Sequence, residues 1–209
     1  TYIFLGTNPA FSTRNALDWN ARYDMLRHAF GKNVEVLDMP DTAARPLNAS
    51  KGPLLVIPPG SGHSHWMPDN GGYTTTIITP WDHPMLGYSM GIQRLEPGEI
   101  VPEHYHDRHE ELFYVFEGQG SATLDGKEYR FGAGYTLFFG RNVSHAIVND
   151  GNGPLIWVWV FNPPGLEHVL AGVGLPRQHG ESRPADVPRP KDVGPLVTYF
   201  TKRGRPAGI

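Results

Sequence analysis

The chain has 209 residues, a formal net charge of −3 and no cysteine, and these values exclude several classes of protein. A chain without cysteine has no disulfide, no thiolate metal ligand and no cysteine nucleophile. Its slightly acidic balance provides no basic surface for nucleic acid or an anionic membrane, so we expect neither partner. No apolar run approaches the roughly 18 residues that span a bilayer, and the first residues lack the basic start of a secretory signal, so we expect a cytoplasmic protein.

The first predicted element is a helix at residues 12–30, in the segment STRNALDWNARYDMLRHAF. Apolar side chains recur there at the helical spacing i, i+4, i+7 and i+11, at Trp19, Tyr23, Leu26 and Phe30. We expect the helix to pack on the main body of the protein or on a second subunit. A lone helix does not predict a helix-turn-helix DNA reader, which needs a second helix close by.

From residue 53 onward, short runs of β-branched and aromatic residues alternate with turn signals such as NGG, EPG and NDGNG. The segment LDGKEY predicts a tight hairpin with Asp125-Gly126 at its tip. The 25 Gly and 20 Pro residues are spread between these runs rather than gathered in low-complexity tracts. The pattern predicts strands at Leu54–Ile57, Tyr73–Thr79, Tyr88–Leu95, Glu111–Glu117, Ser121–Leu124, Lys127–Phe131, Tyr135–Phe139, His145–Asn149 and Leu155–Phe161. Short strands with this spacing are typical of an antiparallel β-sandwich or barrel.

The residues after Phe161 are rich in Pro, Gly and Arg, and they predict an irregular C-terminal arm. Within this arm we expect a short helix at Leu166–Ala171 and a last strand at Leu196–Tyr199. No internal repeat is visible that would indicate a solenoid or a propeller.

Histidines and glutamates are concentrated between Gly98 and Gly118, in GEIVPEHYHDRHEELFYVFEG, which contains three histidines and five glutamates. In an extended strand, side chains two residues apart project from the same face, so His104 and His106 would lie side by side. Two such imidazoles suit the binding of one metal ion, with a carboxylate and a histidine from a neighbouring strand, His145, completing the site. The alternative is a solvated acidic hairpin whose histidines bind nothing.

The region from about residue 88 to 162 resembles the cupins, whose fold is a small double-sheet jelly-roll barrel recognised by two sequence motifs. The first motif, G(x)5HxH(x)3–4E(x)6G, is matched at every spacing by Gly98, His104, His106, Glu111 and Gly118. The second motif, G(x)5PxG(x)2H(x)3N, is matched by Gly134, His145 and Asn149, with Gly140 and Asn142 in place of its central Pro and Gly. Asn tolerates the left-handed backbone that the motif glycine implies, so we expect the turn to be preserved.

The resemblance implies that one divalent metal ion is bound by His104, His106, Glu111 and His145. The motif places six residues between its carboxylate and Gly118, which selects Glu111 over the adjacent Glu110, and strand alternation agrees. His109 has no place in the motif, and we expect it at the rim of the cavity or in solvent.

A second histidine pair, His63 and His65 in GSGHSHW, repeats the spacing of the predicted ligands but lacks a following glutamate. It lies in a segment rich in Gly, Pro and Ser that we expect to be a loop. A position at the edge of a pocket or in solvent is the expectation, and a second metal site is the alternative.

Three neutral imidazoles and one carboxylate suit Fe(II), Mn(II), Ni(II), Co(II) or Zn(II), and the absence of sulfur ligands disfavours an iron–sulfur or Cu(I) site. The run FNPPGLEHVLAGVGLP at 161–176 resembles the closing segment of small cupins that include quercetinase-like dioxygenases. We therefore favour Fe(II) and expect a dioxygenase that uses O2 to cleave a C–C bond of a small enolisable or hydroxyaryl substrate. The alternatives are a non-oxidative metal-dependent lyase or isomerase acting through an enolate, and a non-catalytic small-molecule-binding cupin.

The expected substrate contacts are side chains on the strands that would line the barrel, namely Gln93, Arg94, Phe113 and Trp159. The sequence identifies no catalytic acid or base. Aromatic side chains among the wall residues slightly favour an aromatic or apolar substrate, although any barrel fills its core with such residues.

The resemblance also predicts how the chain is organised. We expect an all-β fold, a double-stranded β-helix (jelly roll, cupin barrel) with a helix-and-strand extension before it and an irregular arm after it. The expected boundaries within one structural domain are 1–85 for the extension packing on the barrel, 86–162 for the barrel core and 163–209 for the arm. Similar proteins often extend their sheet across a two-fold axis with such segments, so we expect a homodimer.

Overall fold

The computed structural model describes residues 2–6, 35–39, 54–69, 71–84, 86–191, 193–204 and 206, and the chain divides into two units, 1–56 and 57–209. The first unit contains two paired parallel strands, β1 (Tyr2–Gly6) and β2 (Glu35–Met39). The helix predicted at 12–30 lies outside the described residues. The predicted boundaries of the extension, barrel core and arm remain predictions.

The second unit contains twelve strands and two helices in its described residues. The strands are β3 (His63–Trp66), β4 (Tyr73–Ile78), β5 (Ser89–Leu95), β6 (Ile100–Tyr105), β7 (Glu110–Glu117), β8 (Gln119–Leu124), β9 (Lys127–Gly132), β10 (Thr136–Phe139), β11 (His145–Val148), β12 (Leu155–Asn162), β13 (Leu175–Pro176) and β14 (Lys202–Arg203). The helices are α1 (Leu166–Val173) and α2 (Gly194–Phe200). No helix among the described residues is long and apolar enough to cross a membrane.

The strands of this unit form two antiparallel sheets. One sheet has seven strands in the order β10–β7–β12–β5–β4–β3–β13, and the other has five in the order β14–β6–β11–β8–β9. Consecutive strands such as β5 and β6 lie in different sheets, so the chain passes repeatedly from one to the other. This architecture is the predicted all-β jelly roll, or double-stranded β-helix.

The core between the sheets follows directly from strand alternation. On β12, every second side chain is buried, because residues i, i+2 and i+4 line one face of a strand. These buried residues are Leu155, Trp157, Trp159 and Phe161, none more than 1% exposed. From the adjacent β7, Phe113 and Val115 pack against the same layer. The core therefore explains why the sequence of β12, LIWVWVFN, is so rich in large apolar residues.

Two tight turns adopt the left-handed backbone that their residues favour. Leu124 pairs with Lys127 across Asp125 and Gly126, whose φ angles are 45° and 81°, so the predicted hairpin is confirmed. Positive φ at both central residues is what a two-residue hairpin turn requires. Asn142 also has a positive φ, 65°, which confirms that Asn preserves the turn at the motif position usually held by glycine.

Two strand predictions are wrong. The segment Leu54–Ile57 forms no strand, and Leu54 is 90% and Val56 88% exposed, so burial of these apolar side chains does not stabilise a strand there. The segment Leu196–Tyr199 lies in helix α2, where a proline occupies the first turn. Proline's fixed φ and missing N–H fit that position, and this helix-start signal outweighed the β-branched residues.

The structure also contains an unexpected strand and a confirmed helix. His63–Trp66, expected to be a loop, forms strand β3 by pairing with β4. The helix predicted at Leu166–Ala171 is confirmed and extends to Val173.

Candidate metal centre

Four of the predicted site residues converge between the two sheets. His104, His106, Glu111 and His145 each offer a ligand atom, and these atoms all lie within 4.8 Å of one another. His104 on β6 is directly opposite His145 on β11 in the five-stranded sheet, and His106 follows β6. Glu111 comes from β7 in the seven-stranded sheet. The cluster therefore joins both layers of the jelly roll.

Each of the three histidines is held by a backbone carbonyl. The Nδ1 atoms hydrogen-bond to Pro102 O at 2.8 Å for His104, to Phe200 O at 2.8 Å for His106 and to Val143 O at 3.0 Å for His145. A carbonyl only accepts hydrogen bonds, so each Nδ1 carries the proton and donates. Each Nε2 then presents a lone pair toward the cluster, which is the tautomer that a metal-binding histidine needs.

The centre of the cluster contains buried polar atoms without hydrogen-bond partners. Glu111 Oε2 lies 3.4 Å from His106 Nε2 and 3.2 Å from His145 Nε2. In the described part of the chain, none of these three atoms has a hydrogen-bond partner. Leaving buried polar atoms unpaired is costly, and a divalent cation among them would satisfy all three at once. The donor set therefore fits a metal ion.

The protonation states of the cluster also suit a cation. Burial lowers the pKa of His104 well below 6.5, and the rings of His145 and His106 lower it further. Burial alone would raise the pKa of the Glu111 carboxyl, but the adjacent His106 and His145 side chains hold it below its usual 4.5. Near neutral pH, His104 is therefore neutral and Glu111 is ionised, as metal ligation requires.

Aromatic side chains fix the positions of the imidazoles. The His145 ring stacks on Phe139 with ring centroids 4.2 Å apart, and the His106 ring meets the edge of Phe161 at 4.8 Å. Packed rings of this kind restrict the histidines to one orientation and keep water from the back of the cluster.

His109 is not at the rim of the cavity or in solvent, so that expectation is wrong. It is only 4% exposed, and its ring stacks on Phe161 at 4.6 Å. Burial and the neighbouring His106 lower its pKa to about 4. The residue is buried beside the cluster, and its ring does not belong to the converging set.

A cavity of about 150 Å³ opens on the cluster. His104 and Glu111 lie in its wall, together with the apolar side chains of Ile100, Val101, Leu166, Val169, Leu170 and Val173. A cavity of about this volume can hold one benzene-sized ring. The structure thus places a small apolar chamber next to the four convergent side chains.

The four predicted substrate contacts lie in different places. Gln93 and Phe113 line the cavity, and the Gln93 amide donates to Gly71 O at 3.1 Å. Arg94 lines a separate pocket and is paired with Glu96 at 2.7 Å. Trp159 is buried in the core, and its indole N–H donates to Thr74 Oγ1 at 3.1 Å. Only Gln93 and Phe113 are brought together with the cluster.

The second histidine pair does not converge with other ligand-type side chains. His63 Nε2 lies 3.0 Å from Asp82 Oδ2 on an exposed surface, and His65 is buried on the same strand. Among the residues that the structure describes, the group formed by His104, His106, Glu111 and His145 is the one cluster of three or more potential ligands.

Part of the site comes from the C-terminal segment, which the sequence did not indicate. Phe200 contributes the carbonyl that binds His106, and Val197, Thr201 and Arg203 line the cavity. A backbone carbonyl leaves no trace in a sequence, and the contact between His106 and Phe200 spans 94 residues. The abundance of arginine in the arm was the one available signal.

Comparisons with known proteins agree with this geometry. The family described as the Cupin domain matches residues 91–161. Tetracenomycin polyketide synthase protein TcmJ from Streptomyces glaucescens is 35% identical over 103 residues, which cover 47% of this chain and 69% of that protein. The chain is a cupin. The matched region of this cupin contains His104, His106, Glu111 and His145.

Two further comparisons concern a curated enzyme and a solved structure. Gentisate 1,2-dioxygenase from Ralstonia sp. is 33% identical over 83 residues, which cover 39% of this cupin and 23% of that enzyme. A solved structure from Thermotoga maritima, described as a predicted oxalate decarboxylase, has a TM-score of 0.48 and 22% identity, over 52% of this cupin and 99% of that chain. A structural likeness at this level indicates nothing about function.

Proposed function

We propose that this cupin binds one divalent metal ion through His104, His106, Glu111 and His145 and is an enzyme acting on a small molecule in the adjoining cavity. The observation that carries the proposal is the convergence of three Nε2 lone pairs and one carboxylate within 4.8 Å, with buried atoms that no described residue satisfies. A cluster of this kind is costly without an ion, and it is pre-formed for one.

We further propose that the ion is Fe(II) and that the reaction is the cleavage of a C–C bond by O2 in an enolisable or hydroxyaryl substrate. Nitrogen and oxygen ligands without sulfur suit Fe(II), as they also suit Mn(II), Ni(II), Co(II) and Zn(II). The similarity to gentisate 1,2-dioxygenase, limited to 23% of that enzyme, supports the oxygenase assignment. When bound, the ion would supply a positive charge for substrate oxygens and, if redox-active, electrons for O2.

The residues of the chain have separate tasks in this proposal. Bound through Nε2, three imidazoles are uncharged ligands and the Glu111 carboxylate is an anionic one, so a bound dication would keep a formal charge of +1. Phe113 and the apolar wall exclude water from the reacting groups, which strengthens electrostatic interactions inside the cavity. Gln93, whose amide is fixed by Gly71 O, provides a polar group in the wall that can orient a substrate.

The second candidate is a non-oxidative lyase or isomerase that uses the ion as a Lewis acid. The observation in its favour is the match over 103 residues to a polyketide synthase protein, whose name specifies no oxidation. Both candidates require the same four ligands and the same apolar chamber, so they differ in the need for O2 and not in the site.

The two candidates are separated by oxygen consumption. Protein reconstituted with Fe(II) would be mixed with gentisate, catechol or acetylacetone in an oxygen electrode, and product formation would be followed with and without O2. The proposed dioxygenase consumes O2 in proportion to product and stops under nitrogen. Full turnover under nitrogen, or turnover with Zn(II) in place of Fe(II), identifies the non-oxidative enzyme. Metal binding without turnover of any substrate indicates a binding protein.

A further inference from the structure

An arginine lies one strand away from the predicted metal ligands. Strand β14 pairs with β6 so that Arg203 is directly opposite His104, and His145 is opposite His104 on the other side. Residues directly opposite in antiparallel strands share a face of the sheet, with Cβ atoms about 5 Å apart. Arg203 therefore belongs to the same row of side chains as two predicted ligands, and it lines the metal cavity.

A second arginine, Arg189, contacts the same carboxylate as Arg203. Arg189 donates from Nε to Asp69 Oδ2 at 3.1 Å and also contacts this oxygen through a terminal nitrogen. Arg203 lies 3.7 Å from the same oxygen. All three side chains line the cavity. Two guanidinium groups thus share one carboxylate, which leaves a formal charge of +1 and unused N–H donors.

Further cationic side chains line a neighbouring cavity. An adjoining cavity of about 500 Å³ is lined by Arg189 and Arg203 together with Lys191 and Lys202. No carboxylate is present among the described residues that line it. Lys202 Nζ lies 3.7 Å from Asp107 Oδ2. Because the two cavities share Arg189 and Arg203, an anion entering from solvent meets cationic groups before it reaches the metal cluster.

Two further carboxylates line the metal cavity. Glu111 belongs to the predicted metal centre, and Glu103 accepts a hydrogen bond from Ser144 Oγ at 3.0 Å. Apolar residues of the same wall include Ile100, Val101 and Val197. The chamber is therefore lined by two members of the ligand cluster, by apolar side chains and by two guanidinium groups.

We propose that the substrate carries an anionic oxygen group, a carboxylate or a phosphate, at the end remote from its metal-binding oxygens, and that Arg189 and Arg203 bind this group. The inference rests on the proposed metal centre and specifies the class of its substrate: a compact apolar molecule, about one ring in size, with a chelating end and an anionic end. Asp69 holds the two arginines together and competes with the anion for them.

Two matched probes test the proposal without requiring turnover. Catechol and 3,4-dihydroxybenzoate have the same chelating oxygens, but only the second has a carboxylate at the opposite end of its ring. A third probe, 3,4-dihydroxyphenylphosphonate, replaces that carboxylate with a phosphonate. Binding would be measured by calorimetry, without O2, to the Zn(II)-loaded full chain, its Arg189→Gln and Arg203→Gln variants and the double variant.

Hydrogen bonds between a guanidinium group and an anion are strong, so their loss should weaken binding of the anionic probe by a large factor. The double variant should bind the carboxylate probe roughly 10- to 100-fold more weakly, while its affinity for catechol changes less than about twofold. The phosphonate probe shows which anion the pair prefers. Arg130→Gln is the control, because Arg130 is 70% exposed, pairs with Asp150 and does not line the cavity.

Asp69→Asn tests the proposal independently, because it should raise the affinity for the carboxylate probe rather than lower it. Asp69 has a φ of 57°, a backbone conformation that Asn adopts readily, so this variant should fold. Removing its charge frees both guanidinium groups, and affinity for the carboxylate probe should rise severalfold without a matching rise for catechol.

The results distinguish this inference from the proposed function. Equal affinities of the metal-loaded protein for catechol and 3,4-dihydroxybenzoate, or equal losses of both in the double variant, would overturn the anion site and leave the metal centre intact. A wild-type chain that fails to bind a divalent ion overturns the proposed function and this inference together.

Discussion

Adjacent glutamates at the start of β7 occupy different environments. Glu111 is 4% exposed and lies in the histidine cluster, whereas Glu110 is half-buried and outside it. Neighbouring residues on a strand point to opposite faces, so one step along the chain separates a predicted ligand from a residue with no place in the centre. The spacing from Gly118 in the sequence predicts this distinction.

The stability of the metal-free protein should fall as the pH is lowered from 7 to 5. Burial first, and then the His145 and His106 rings, hold the pKa of His104 well below 6.5. The unfolded chain therefore binds a proton below pH 6.5 that the folded chain does not bind, and stability is lost as the pH falls through 6.5. His104 contributes up to about 1.4 kcal/mol per pH unit to this loss, and His109, whose pKa is lowered to about 4, adds to it. Thermal unfolding at pH 7.5, 6 and 5 measures it.

His104→Gln provides the control for this prediction. Because Gln does not titrate, the variant should lose less stability than the wild type over the same interval. Glu111 does not interfere, since its lowered pKa keeps the stability that it contributes until the pH falls below 4.5. An identical fall in wild type and variant would show that His104 is not the responsible group.

At the scale of elements, local sequence signals were reliable where packing agreed with them. The alternation in LIWVWVFN predicted β12, and Asp125-Gly126 predicted the hairpin between β8 and β9. Strand β3 could not be predicted in the same way, because its residues HSHW form a strand only through pairing with β4. Helix α2 was misassigned for a related reason, since it is short and its apolar residues also have strand propensity.

The turn before β11 is an element whose sequence requirement can be measured. Asn142 has a φ of 65°, and its N–H donates to His106 O at 2.8 Å, so the turn connects two parts of the candidate site. Asn142→Ala should lower the free energy of unfolding by about 1 kcal/mol, because a Cβ-bearing residue without a local side-chain hydrogen bond is strained in this conformation. Asn142→Gly should be nearly neutral. Urea unfolding of both variants tests the claim, and equal stabilities would refute it.

At the scale of the whole molecule, the sequence predicted the centre of the site better than its boundary. Motif spacing identified the four converging side chains because they lie on three short strands of one barrel. The substrate contacts were less predictable: Arg94 and Trp159 do not line the cavity, while Arg189 and Arg203 reach it from the C-terminal arm. A strand pattern fixes which residues share a face of a sheet. Contacts between residues more than about 100 positions apart in the sequence depend on tertiary packing.

We predict that the protein is a homodimer, as segments outside the barrel often extend the sheet across a two-fold axis in similar proteins. Light scattering coupled to size-exclusion chromatography should give twice the 23.2 kDa of one chain. A mass of 23.2 kDa that does not change with protein concentration would show that it is a monomer.

Metal content in two adjacent variants tests the central claim most directly. Wild-type protein, Glu111→Ala and Glu110→Ala would be loaded with Fe(II) without O2, freed of excess metal and examined by elemental analysis. We predict about one ion per chain in the wild type and in Glu110→Ala, and a large loss in Glu111→Ala, because only Glu111 faces His106 and His145. Full metal content in Glu111→Ala, or an equal loss in both variants, would contradict the proposed centre.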